Sequence, residues 1–139
     1  MQLCINNFIQ IGVVYISEKK YDNAINEFGN ALKLTPEYQE AYNNRGIAYK
    51  EKGELDRAIA DYNKALELNK DCMEAYINRG IVYNKKGLYE KAILDFNYAI
   101  RLDPEARVAY EYRSIAYTNS GRHDLALKDK KKAAALLNH

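Results

Sequence analysis

Three arginines stand at a fixed interval in this chain, Arg45, Arg79 and Arg113, and four acids recur at the same interval, Glu27, Asp61, Asp95 and Asp129. A guanidinium taken partly out of water needs a carboxylate, and its planar fork matches one through two hydrogen bonds. Two pairings fit the spacing. Within one repeat, Arg45 meets Asp61. Between repeats, Arg45 meets Glu27, Arg79 meets Asp61 and Arg113 meets Asp95. The between-repeat scheme is the expected one, because it accounts for Ile11 at the first arginine position, which no acid precedes. The chemistry is then structural, an ion pair that sets register between neighbours.

The other reactive side chains form no catalytic constellation. His123 occupies a position that is aromatic in two of the other repeats (Tyr21, Tyr89), His139 is terminal, and neither has a cysteine or acid at metal-ligand spacing. There is no glycine-rich phosphate loop. Ser17, Ser114 and Ser120 have no positioned base. Neither a cofactor nor a metal is implied, and the chain reads as a non-enzyme. Cys4 and Cys72 are too few for a disulfide framework and read as reduced thiols, which suits a cytoplasmic setting. The apolar opening, MQLCINNFIQIGVVYISEKK, is interrupted by amides, lacks a basic leader and is not expected to be a signal peptide. No apolar run reaches the ~18 residues of a membrane span.

The arginines sit inside a phrase. NRGIAY at 44–49 returns as NRGIVY at 78–83 and YRSIAY at 112–117, and is preceded by QIGVVY at 10–15. A fixed period of this size predicts stacked units that each fail to bury their apolar face alone. The units run 5–38, 39–72, 73–106 and 107–139. In each, apolar residues at helical spacing predict two helices of about 13 residues, separated in the second unit by Gly53. Thr35-Pro36 and Asp103-Pro104 read as N-caps followed by a first-turn proline. Small residues share one position (Gly12, Gly46, Gly80, Ser114) and aromatics another (Phe28, Tyr62, Phe96), which predicts close helix approach around a packed ring. With two further rows, one of Phe8, Tyr42, Tyr76 and Tyr110 and one of Tyr15, Tyr49, Tyr83 and Tyr117, the repeat explains most of the 13 tyrosines.

The pattern aromatic-x-x-x-Gly-x-x-Tyr, then Gly, then Ala-x-x-x-aromatic-x-x-Ala, then Pro resembles the tetratricopeptide repeat (TPR) across residues 5–139. Lys19, Lys70, Ser114, His123 and Lys130 depart from it, and most units of that type carry leucine at the arginine position. The resemblance implies an all-α, right-handed superhelical solenoid of four antiparallel helix pairs. It also implies that the first helices line a concave groove suited to binding protein or peptide.

The candidate groove residues come in three rows. One is Val13, Ile47, Ile81 and Ile115; a second is Gln10, Asn44, Asn78 and Tyr112; a third is Ile9, Asn43, Ile77 and Glu111. Aliphatics mixed with amides suit a polypeptide, since amides both donate to and accept from a backbone. The lysine and arginine positions of the carboxylate clamp found in some members are not met, so no acidic C-terminal tail is expected as ligand. The net charge of +2 and the uncharged groove weigh against the RNA-binding alternative. The lysines of the last helix (Lys128, Lys130, Lys131, Lys132) read as a solubilising cap. The less protected first helix makes end-to-end self-association the other alternative.

Overall fold

The computed structural model describes residues 1–138, which form two compact units of two helical hairpins each. The first, Met1–Lys70, contains α1 (Gln2–Ser17), α2 (Tyr21–Leu34), α3 (Gln39–Lys52) and α4 (Leu55–Leu68). The second starts at Asp71 and contains α5 (Met73–Lys85), α6 (Tyr89–Leu102), α7 (Arg107–Asn119) and α8 (His123–Leu137). No strand occurs among the described residues. In the first unit α1 packs on α2, α3 on α4, and the hairpins join through α2 against α3. The second unit repeats this, with α6 against α7.

Within a hairpin the helices meet at the small residue. A Cβ added to Gly12 would lie 2.5 Å from the Phe28 ring, one on Gly46 2.6 Å from Tyr62, and one on Gly80 2.7 Å from Phe96. These rings are fully buried. The last hairpin shows the same constraint in reverse. Lys130 replaces the ring and is exposed, and Ser114 is tolerated where glycine stands elsewhere, its Oγ donating to the Glu111 carbonyl at 2.6 Å. Glycine is needed only where a ring must lie on the backbone.

The turns are equally local in origin. Gly53, Gly87 and Gly121 take left-handed φ of 88°, 77° and 82°, where glycine has no Cβ penalty. Lys19 adopts a φ of 60° in the first hairpin without that freedom. The expected N-caps are corrected. Thr35 and Asp103 are C-caps of α2 and α6 in extended conformation, and the next helices begin later, at Gln39 and Arg107. The prolines instead shape the intervening turns, where the Tyr42 hydroxyl donates to the Pro36 carbonyl at 2.9 Å and Tyr110 to Pro104 at 2.8 Å. His123 does not pack as an aromatic would; it is the exposed first residue of α8.

Tyr62 is an anomaly in the core. Its ring fills the place of Phe28 and Phe96, but its buried hydroxyl has no hydrogen-bond partner, and burial pushes its phenol far above the ordinary range. Tyr62→Phe is therefore expected to stabilise the protein by about 1–2 kcal/mol, the cost of an unsatisfied buried hydroxyl, read as a higher urea midpoint. Gly80→Ala, pressing on the Phe96 ring, is expected to cost about 1–3 kcal/mol. Ser114→Ala, facing no ring, should stay within about 0.5 kcal/mol. Equal losses at the two positions would contradict the ring constraint.

Candidate functional site

The arginines pair inside their own hairpins. Arg45 reaches Asp61 through Nε and Nη2, both at 2.8 Å, and Arg113 reaches Asp129 through the same two atoms at 2.7 Å. Arg79 holds Asp95 likewise at 2.8 and 2.7 Å. This corrects the expected between-repeat scheme, since Arg45 takes Asp61 and not Glu27, and Arg113 takes Asp129 and not Asp95. The reason is geometric. The two helices of one hairpin pack side by side, close enough for the fork to close with or without the glycine contact. Ile11 and Glu27 are thus the matched pair of the first hairpin, and among the described residues Glu27 has no ion pair.

Each guanidinium also lies beside two rings of its own helix. Arg45 is 5.6 Å from the Tyr42 centroid and 5.9 Å from Tyr49. Arg79 sits similarly between Tyr76 and Tyr83, and Arg113 between Tyr110 and Tyr117. These rings shield one side of a charge that is already neutralised on the other. Hydrogen bonding to the aspartate raises all three arginines above their ordinary value, with burial working against it. Burial pushes the Asp95 carboxyl up, opposed by Arg79. A link between neighbours does exist, but it is neutral: Arg113 Nη1 donates to Asn97 Oδ1 on α6 at 2.8 Å. Gly29 stands at the Asn97 position before Arg45 and offers no side chain.

The first-helix rows divide by burial. Ile9 and Asn43 are buried and do not face a groove, because their helices turn that edge into the packing of the first unit. Gln10 and Val13 are exposed on α1, while Asn44 and Ile47 are half-buried on α3. On α5, Ile77 and Asn78 are half-buried and Ile81 is buried. On α7, Ile115 is exposed, Tyr112 is half-buried, and Glu111 pairs with Arg107 one turn earlier.

Ile81, Tyr112 and Ile115 come together. They line an open hollow of about 230 Å3 between α5 and α7 with Asn84, Lys85 and Asn119. Tyr112 is fixed from two sides: its ring stacks on Phe96 at 6.3 Å, and its carbonyl accepts from Asn84 Nδ2 at 3.1 Å. The hollow thus has an aliphatic floor, an aromatic wall and one lysine at its rim. Sequence reasoning missed Asn84, Lys85 and Asn119. A signal was present, since each lies a helical turn beyond a residue already singled out. Among the described residues no group of three His, Cys, Asp or Glu side chains can hold a metal, and no helix is long and apolar enough to cross a membrane.

A family model described as tetratricopeptide repeat matches residues 40–72 and 74–106, and one described as TPR repeat matches 12–53. The chain matches no curated protein sequence. Among solved structures, a crystal structure of MamA is similar at a TM-score of 0.88 and 28% identity, over 96% of this chain and 78% of that one. A second crystal structure of MamA protein gives 0.85 and 29%, over 95% and 72% of the two chains. The MamA 41-end structure from Desulfovibrio magneticus RS-1 gives 0.87 at 21% identity, over 96% and 76%, a likeness of fold.

The ion pairs make a sharp test. Arg45→Leu leaves buried Asp61 without its partner and is expected to cost about 3–5 kcal/mol. Arg45→Leu with Asp61→Leu should recover most of that loss in urea unfolding. Arg45→Leu with Glu27→Leu should recover none.

Proposed function

The chain belongs to the tetratricopeptide-repeat family, a family of non-enzymatic protein-interaction scaffolds, and from that premise we propose that it binds an extended polypeptide along its first helices, with the α5–α7 hollow as the anchoring pocket. The observation that carries this reading is the hollow itself. Its lining is mainly apolar and partly open to solvent, and its aromatic wall is held by Phe96 and Asn84 before any ligand arrives. A preformed apolar pocket with a few polar groups at its edge is what a side-chain anchor requires. One aliphatic side chain of the ligand fits between Ile81, Tyr112 and Ile115. The amide Asn119 in the same lining can hydrogen-bond its backbone.

Lys85 is the one cation of the hollow, so a carboxylate clamp has no support, and an acidic C-terminus is not the expected handle. RNA binding has less support still, because the net charge is only +2 and no basic stripe follows the first helices. Neither Cys4 nor Cys72 forms a disulfide among the described residues, which supports a reducing, cytoplasmic setting.

A displayed library of random 15-residue peptides, selected on the intact protein, tests the reading. Enriched peptides are expected to share an aliphatic residue and to lose affinity ten-fold or more against Ile115→Glu and Tyr112→Ala. Ile115 is exposed, so the first variant keeps the fold, which circular dichroism checks. Enriched peptides that bind both variants as tightly as the parent would overturn the proposal.

A further inference from the structure

Equivalent positions of the hairpins have unequal burial, and the inequality has a pattern. Val14 on α1 is 53% exposed, whereas Ala48 on α3 and Ala116 on α7, at the same place in their repeats, are at 0%. Ile11 is exposed where Arg45 and Arg113 are half-buried. α3 and α7 each have a second helix packed in front of them, α2 and α6, and no described helix precedes α1. On α8 the converse holds. Leu127 is 52% exposed and Lys130 is exposed, while their equivalents on α6, Ile93 and Phe96, are at 6% and 0%. α1 therefore presents the face that receives a second helix, and α8 presents the face that a second helix offers.

The charges at these two faces are complementary in a way the inner junction explains. Between α6 and α7, an amide (Asn97), a cation (Arg113) and an acid (Asp129) are joined in line. On α1 and α2 the matching positions hold Ile11 and Glu27, an acid whose cation is missing. On α8 the position of Asn97 holds Lys131, an exposed cation without an ion pair among the described residues. The positive charge has moved from the receiving helix to the offering one. Lysine is longer than asparagine and glutamate longer than aspartate, so the two together span the place of the absent guanidinium. Opposite an arginine Lys131 would be repelled; opposite Ile11 it is not.

We propose that copies of this chain associate head to tail, α8 of one docking on α1 of the next, with Lys131 of the first paired to Glu27 of the second. The contact joins different faces, so it propagates instead of closing on itself as a two-fold dimer. With Lys130 in the ring position the contact lacks the buried aromatic of an inner junction, and association is weak and salt-sensitive. The α5–α7 hollow takes no part in it.

Sedimentation of the pure protein over a dilution series at low salt tests this. Mass is expected to rise with concentration beyond the dimer and to fall back on addition of salt. Glu27→Lys and Lys131→Glu are each expected to be monomeric alone, with unchanged circular dichroism, and an equimolar mixture of the two to regain the parental mass. A monomeric parent at every concentration would overturn the proposal. So would self-association retained by Lys131→Glu, which would point to α1 against α1, or a mixture that stays monomeric.

Discussion

An aromatic ring laid directly on the backbone of the facing helix sets the distance at which the first three hairpins close. Gly12, Gly46 and Gly80 have no room for even a methyl group beside Phe28, Tyr62 and Phe96. Close approach buries the rings fully and brings residue 45 of α3 within reach of residue 61 of α4. The fourth hairpin, with Ser114 opposite Lys130, separates cause from consequence. It has lost both ring and glycine, and its Arg113–Asp129 pair still forms, with helices held by Ala126 and Ala133 in the core.

The arginine clusters exchange apolar packing for polar organisation. Leucine at that place would need no partner. Arginine needs an acid, and the acid, once buried, needs the arginine. The pair adds little to stability over an apolar substitute, but it tolerates only one arrangement of the two helices, because a two-bond fork loses its geometry when either helix slides. The rings on both sides keep water off the cation without removing its charge. The first hairpin does without this device, and its exposed Ile11 and its Glu27, which has no ion pair among the described residues, mark the place where the pattern stops.

Two kinds of surface result from one repeated plan. Along the first helices, residues that packing does not fully cover stay open to solvent, and in the second unit Ile115 does so beside Tyr112 and Ile81. At α1 and α8, residues that packing would ordinarily cover are left open. The first surface varies from repeat to repeat, as a binding surface can. The second repeats the inner junction with its charge relocated.

How much of this was legible depends on whether the property is local. The interval from Arg45 to Arg79 to Arg113, the small and large rows, and the turn at Gly53 follow from side-chain size and backbone freedom at fixed spacing. A linear sequence displays such properties, and the tetratricopeptide-repeat family follows from them. The choice of acid for each arginine was not legible. Two acids stood at plausible intervals, and only the separation of the two helices within a hairpin decides which lies within 3 Å. For the same reason Ile9 and Asn43 looked like groove residues. Periodicity tells that they share an edge of a helix, whereas the rotation of that helix against its neighbour decides whether the edge meets solvent. The hollow beside Tyr112 likewise required two helices, distant in sequence, to be placed side by side. The sequence by itself determined what repeats; the tertiary structure decided what each repeated residue touches, because contact depends on the distance and rotation between helices, which no spacing along one chain segment encodes.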